Sequence, residues 1–353
     1  MRKAKVGIIL INYKDYANRF LLDFKKSLNQ QDYGLENLQA YIIDNCASSE
    51  SLKALHSIYP EAEIIPRANG NYSAACNLGC RRAILDGCKY VVTVNMDTEL
   101  DSSWLTELVK GLEDNPDTGI VQSKVLLYQS DKTEKKINTL GNVIHFLGFG
   151  TTTSYQEDDY EINGYPEIRG YASGCSFIAR REVFSDINGW NEEYFMYHDD
   201  IEFSLKAIFS GYKIRLAPRS CIYHKYEFSR SVKMLYFMER NRHLLISHFY
   251  PTKLLFLVLP ALAIMNFAMM FYALFKGWFK TWLKVNFYFL NPLSIIKIIR
   301  TRRKLKKLGR LSNSDFSELL VAKLEFLEID NFLLRYLGNP LLELYWRAVK
   351  KII

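Results

Sequence analysis

Four stretches of the chain hold residue types that could do chemistry. The run VVTVNMDTEL, residues 91–100, is apolar and β-branched until it meets Asn95, Asp97 and Glu99. A carboxylate beside an Asn at a strand end suits a hard divalent cation, Mn2+ or Mg2+, that also binds diphosphate oxygens. The plainer reading of Asp97 is a helix cap, although Asp101 and Ser102 already stand where that cap belongs. Glu99 reads as a solvated bystander. In MYHDDIEF, residues 196–203, Asp199 and Asp200 are adjacent, with Glu202 close behind. They either cap a helix N-terminus or hold a general base, since a like-charged neighbour raises a carboxylate pKa. His224 follows the strand-like SCIY as a structural imidazole or, joined to an Asp, as half of a mixed N/O cation site. ANGNYSAACNLG, residues 68–79, is a small-residue turn entering a helix, where a ligand can come close to the backbone. It is neither GxGxxG nor a P-loop, which disfavours nicotinamide cofactors and P-loop ATP binding.

The elements that must position these residues alternate. Apolar runs at 6–11, 38–43, 62–65, 90–94 and 120–127 read as strands, and 20–28, 48–55, 73–85 and 102–112 as helices. Such alternation predicts right-handed βαβ units and an open, mostly parallel sheet flanked by helices, an α/β fold. Ligands then sit outside the carboxyl ends of the strands, where Asn12, Asp44 and Asp97 fall. Residues 130–165 are polar and predict a long irregular excursion. Order returns with YASGCSFIA at 171–179, helices near 181–184 and 200–209, and two short strands at 213–217 and 220–224.

The chain has 353 residues, 49% hydrophobic and 24% charged, the composition of an ordered globular protein with a sizeable core. Its 23 Tyr and 22 Phe fit sugar-contacting or membrane-interface surfaces as well as a plain aromatic core. The net charge is +8, and eight Lys or Arg with no acid fall between residues 297 and 310, directly after the most apolar part of the sequence. That placement favours an anionic membrane surface over nucleic acid. Six cysteines without a CxxC pair indicate neither a zinc site nor a disulfide framework, and fit a reducing compartment. The start, MRKAKVGIILINY, mimics a signal peptide but reads as a first strand. Residues 254–275 are 22 long without a charge, enough to span a bilayer, though interrupted by Pro260 and Asn266. A single crossing would place the basic run opposite the α/β part, against the positive-inside tendency. Helices lying in the interface, or a hairpin that dips in and returns, are the expectation.

Together and in order, these segments resemble the family 2 glycosyltransferases, in particular the rhamnosyltransferase-like branch of bacterial cell-surface polysaccharide enzymes. IILINYKD is similar to the family's first strand, IIDNCASSES to its D-N-x-S element, and NGNYSAACNLG to its N-x-G-F-A turn. VNMDTEL resembles the branch's N-P-D-T-x-L version of the metal-binding D-x-D motif, with Met96 for Pro. SGCSFIARREVF and the stretch ending in HDDIEF resemble the acceptor side and its E-D base motif, with Asp199 for Glu. IYHKYEFSRS and YFMERNRHLL are similar to the closing His and Y-x-x-R-N-R elements.

The resemblance implies a GT-A fold, a nucleotide-sugar donor, Mn2+ or Mg2+, and inversion at the anomeric carbon. It implies that Asp44 hydrogen-bonds the nucleobase, that Asn12, Tyr13, Asn45 and Asn77 line the nucleotide, and that Arg240 steadies the diphosphate. Asp97 and His224 would hold the metal, with Asn95 a third, weaker ligand. Asp200 would be the base, with Asp199 beside it. The implied organisation is a GT-A domain at 1–248, with a nucleotide-sugar half at 1–128 and an acceptor half at 129–248. A membrane-associating helical region at 249–353 follows, on the cytoplasmic face, with a glycan or lipid-linked acceptor. The alternatives are a sugar-nucleotide pyrophosphorylase on a similar sheet, disfavoured because INYKDYANRF has no glycine, and a non-catalytic membrane-bound GT-A module.

Overall fold

In a computed structural model, which describes residues 3–129, 134–225, 232–309, 311–324, 332 and 334–353, the chain begins as the apolar periodicity requires. β1 (Val6–Asn12), α1 (Leu22–Leu28), β2 (Leu38–Asp44), α2 (Ser49–Ile58), β3 (Glu63–Pro66), α3 (Tyr72–Leu85) and β4 (Tyr90–Val94) alternate, and strands β3, β2, β1 and β4 pair in parallel. α2 starts at a capping box in which Ser48 and Ser51 satisfy each other's backbone N–H groups. α3 lies unusually close to β1, because a Cβ on Gly7 would sit 2.5 Å from Ala83 and one on Gly79 would sit 2.6 Å from Ile9.

The next elements are β5 (Thr98–Leu100), α4 (Trp104–Glu113), β6 (Thr118–Leu127), β7 (Ile137–Thr139), β8 (Asn142–His145), β9 (Gly150–Thr152), β10 (Ser176–Arg180), α5 (Arg181–Asp186), α6 (Asp199–Phe209) and β11 (Lys213–His224). The main sheet runs β3-β2-β1-β4-β10-β6-β11-β5, with β7 against β6. β10 is antiparallel to both β4 and β6, so the expected parallel sheet is mixed at its centre. An apolar run announces a buried strand but not its direction, which the excursion before β10 determines. The two short strands expected at 213–217 and 220–224 are one strand, β11, whose register slips between Ala217 and Cys221 around Pro218. Proline has no N–H to give a ladder. The excursion at 134–165 is not structureless, since it contributes β7, β8 and β9, too short to show periodicity.

The C-terminal part comprises α7 (Val232–Phe249), α8 (Thr252–Phe275), α9 (Phe279–Leu290), α10 (Pro292–Leu305), α11 (Asn313–Glu318), β12 (Leu320–Val321) and α12 (Asn339–Ile352). β12 pairs with β8 in a small second sheet. One apolar cluster joins Ile144, Tyr194, Ile201 and Leu205 to Leu254, Val258, Phe316 and Trp346. The expected boundary at 248/249 therefore falls inside a continuous core. α8 is long and apolar enough to cross a membrane. It buries Leu254, Val258 and Leu262 at four-residue spacing and exposes Phe256, Leu259, Ile264, Phe267 and Phe271. Asn266, an interruption in sequence, hydrogen-bonds Asn286 and Trp282 of α9.

Candidate active site

At the carboxyl end of the parallel strands, register places Asn12 beside Asp44 and Asp44 beside Pro66. Asn12 Nδ2 donates to Asp44 Oδ1 at 2.9 Å, and Ser51 Oγ donates to Asp44 Oδ2 at 2.6 Å. Asp44 is fully enclosed, so here it braces Asn12 and the start of α2. The next residue, Asn45, leaves a buried Oδ1 with no hydrogen-bond partner, while its backbone carbonyl accepts from Gly70 N at 2.8 Å. Gly70, at φ +69°, faces Tyr13 and Phe195. Arg67, which sequence reasoning passed over, ends β3 against the Asp44 carbonyl and donates to Asn69.

Asp97 and His224 come together from strand ends on β4 and β11. His224 Nε2 lies 3.5 Å from Asp97 Oδ1, and His224 Nδ1 is 3.1 Å from Asn138 Oδ1. An amide oxygen only accepts, so Nδ1 carries a proton, and a cation taking Nε2 would have to displace the proton that Nε2 shares with Asp97. Burial pulls the imidazole pKa down, but the Cys175 thiol and the Asp97 carboxylate outweigh it and hold it at about 10. Asn138, on β7, had no periodic pattern to reveal it. Asn95 has its N–H on the Cys175 carbonyl and its carbonyl on Thr98 Oγ1. Its side chain takes no hydrogen bond among the described residues. Glu99 is not a solvated bystander, because it pairs with Lys225 Nζ at 3.0 Å, which also reaches Asp23 at 2.7 Å. Of IYHKYEFSRS, residues 226–231 lie outside the described residues, as does Arg310 of the basic run.

These donors fit a hard cation as a pair, one nitrogen and one carboxylate oxygen. Among the described residues no group of three or more His, Cys, Asp or Glu assembles as a closed metal site. The remaining positions would fall to donor oxygens and water.

Asp199 and Asp200 open α6. Asp200 Oδ1 accepts from Ile201 N at 2.9 Å and Oδ2 faces Gly174 N at 3.4 Å. The Cys175 carbonyl, next along, accepts Asn95 N, so one short segment links the two aspartates to the Asp97–His224 pair. Burial raises the pKa of Asp200 to about 6. Burial and then the Asp200 charge raise that of Asp199 to about 8. Two enclosed neighbouring carboxyl groups cannot both ionise easily, so near neutrality one proton is shared out to Asp199. Glu202 stands apart, in an ion pair with Lys206 at 2.9 Å.

The turn leading to the pair is strained, with Phe195, Tyr197 and His198 at φ of 67°, 64° and 59°. The Y-x-x-R-N-R segment holds it. Asn241 Nδ2 donates to the carbonyls of Tyr194, Met196 and Tyr197, and Arg240 Nη2 to those of Glu193 and Tyr194. Arg242 Nη1 donates to the Leu147 carbonyl. Arg240 is buried and stacked between Phe237 and Tyr288, so it clamps this turn and does not reach out to a diphosphate. Asn77 is likewise reassigned. Its Oδ1 accepts Trp190 N, and its Nδ2 donates to Trp190 O and Glu192 Oε1, tying α3 to the segment that leads into α6. The N-terminus of α3 is no phosphate cradle either, since Tyr72 N and Ser73 N both donate to the Phe195 carbonyl.

The family model described as glycosyl transferase family 2 matches residues 7–187, just over half of the chain. The chain belongs to glycosyl transferase family 2. The pyrophosphorylase alternative falls with that match. Among curated relatives, this family 2 chain is 28% identical over 167 residues to the O-antigen biosynthesis protein RfbC of Myxococcus xanthus, covering 45% of this chain and 12% of that protein. It is 23% identical over 203 residues to the low-salt glycan biosynthesis hexosyltransferase Agl10 of Haloferax volcanii, covering 57% of this chain and 61% of that one. It thus spans less than two thirds of either. Among solved structures, GalNAc-T7 with UDP, GalNAc and Mn2+ matches with a TM-score of 0.55 at 11% identity, over 70% of this chain and 48% of that one. S. aureus TarS 1–349 with UDP matches at 0.50 and 14%, over 98% and 90%. These likenesses establish the GT-A fold.

Proposed function

We propose that this family 2 chain is an inverting, metal-dependent glycosyltransferase in cell-surface polysaccharide synthesis. It would move a sugar from a nucleotide-diphosphate donor, dTDP-rhamnose or a UDP-sugar, to a hydroxyl of a glycan or lipid-linked glycan. The observation that supports the reading is the pairing of Asp97 with the His224 imidazole at the strand ends, one short segment away from a carboxylate with a raised pKa. Asp97 and His224 would hold Mn2+ or Mg2+, with Asn95 within the same strand end. A bound cation neutralises charge on the leaving diphosphate without a proton donor. Asp200 would take the proton of the acceptor hydroxyl as it attacks the opposite face of the sugar. One base and no enzyme nucleophile make a single displacement, hence inversion. The orphaned Asn45 Oδ1, beside Asp44 and Tyr13, suits an N–H of the nucleobase.

Residues 1–128 would bind the donor, 129–248 the acceptor, and the helices beyond 248 the cytoplasmic face of the membrane. Residues 240–314 contain fourteen Lys or Arg and no Asp or Glu. α9 and α10, at 12 and 14 residues, are too short to cross, and α8 is packed on α9 along a polar clasp, so the group would lie in one interface.

Thermal shift across nucleotide sugars, with and without Mn2+, tests the reading. One donor stabilises the protein only with Mn2+, and Asp97→Asn and His224→Ala remove that effect. Asp200→Asn keeps donor stabilisation while transfer drops by about a hundredfold or more. Stabilisation by no nucleotide sugar would leave a non-catalytic module, and transfer unaffected by chelators would remove the metal.

A further inference from the structure

Glu193 lies just before the strained turn, and its side chain is 3% exposed. Tyr288 Oη of α9 donates to Glu193 Oε1, and Lys297 Nζ of α10 is 3.2 Å from the same oxygen. Glu193 Oε2 is buried with no hydrogen-bond partner. On the backbone side, the Glu193 carbonyl accepts Arg240 Nη2 at 2.6 Å, and that guanidinium lies over the Tyr288 ring at 5.5 Å. A carboxylate that is buried but half-satisfied depends on the groups that do reach it, because each lost partner leaves desolvated charge behind. Both groups that reach Glu193 come from the helices with the apolar, basic outer face. Lys297 itself is 59% exposed and shares α10 with exposed Leu293, Ile296, Arg300 and Arg303. Three residues separate Glu193 from Tyr197, whose carbonyl Asn241 holds, and Asp200 follows at the start of α6.

We infer that Glu193 is a positioning residue. Through Tyr288 and Lys297 it ties the turn presenting Asp200 to α9 and α10, so that seating those helices on an anionic lipid surface fixes the base. The lipid half of this inference rests on the membrane reading above. A soluble enzyme leaves the two helices free to shift, and the turn, with three residues in left-handed conformation, relaxes with them. On the surface the helices are held, and Tyr288 and Lys297 hold Glu193.

Amide hydrogen exchange with vesicles of phosphatidylcholine and phosphatidylglycerol separates the parts. In the unmodified protein, vesicles slow exchange at residues 193–200 by about tenfold. Tyr288→Phe and Lys297→Gln still sediment with vesicles but lose that slowing, and Lys297→Arg restores it. Once a donor is in hand, both variants lower kcat with the donor KM unchanged. The Tm of each variant, set beside that of Lys297→Arg, separates lost folding from lost positioning. Co-sedimentation with no change at 193–200, or equal slowing in Lys297→Gln and the unmodified chain, overturns the role of Glu193. Failure to sediment with vesicles overturns the membrane reading instead, and the inference with it.

Discussion

At the scale of single residues, the two aspartates at the start of α6 differ in what they do to the protein. Asp200, raised to about 6 by burial, would in the proposed role be a base poised near neutrality, so kcat/KM should fall as pH drops through about 6. A pH profile lacking that acid limb, with turnover intact at pH 5, removes Asp200 as the base. Asp199, raised to about 8, is held protonated by the fold, and its model-peptide value is 3.8. The folded state therefore binds more protons than the unfolded chain across that window, and stability declines as pH rises toward 8. Asp199→Asn should then raise Tm by several degrees at pH 8 and by much less at pH 4, as calorimetry would show. The meeting of Asp97 with His224, and the place of Asp200 at the start of a helix, were legible in the sequence because strand ends and helix starts are marked by abrupt changes from apolar to polar residues. Arg240 and Asn77 were not, since a guanidinium or amide that grips backbone carbonyls has the same letter as one that grips a ligand.

At the scale of elements, the parallel half of the sheet could be read from apolar runs, and its carboxyl edge is where the candidate residues Asn12, Asp44 and Asp97 gather. The reversal at β10 could not, because SFIAR would pattern identically in either direction. Nor could the turn before α6, whose left-handed residues are an aromatic pair and a His where glycine would be ordinary. Asn241 is what makes them affordable: its single amide nitrogen reaches three carbonyls. Asn241→Ala should cost about 2 to 4 kcal/mol by the usual worth of such bonds and reduce kcat more than donor affinity. Denaturant titration and single-turnover rates measure the two. An Asn241→Ala enzyme with unchanged kcat would show that the turn keeps its shape without the clamp.

At the scale of the molecule, the sequence invites a cut at residue 248, where α/β pattern gives way to apolar helices. The apolar cluster crosses that line, with Leu254 and Val258 of α8 fully buried against the same core as Ile144 and Leu205. Arg302 of α10 also donates to the carbonyls of Ser247 and Tyr250. Truncation after residue 248 should therefore expose core and give aggregated protein. The proposed membrane face has to be altered from outside. Ile264 and Phe267, at 72% and 60% exposure, touch little of that core. Burying each such side chain in lipid contributes about 1.5 to 3 kcal/mol, so replacing both with Glu removes apolar area and adds charge facing an anionic surface. The Ile264→Glu, Phe267→Glu double variant should keep its Tm and lose vesicle binding by at least tenfold. If it stays bound until high salt releases it, the basic residues of α10, and not the face of α8, provide the attachment.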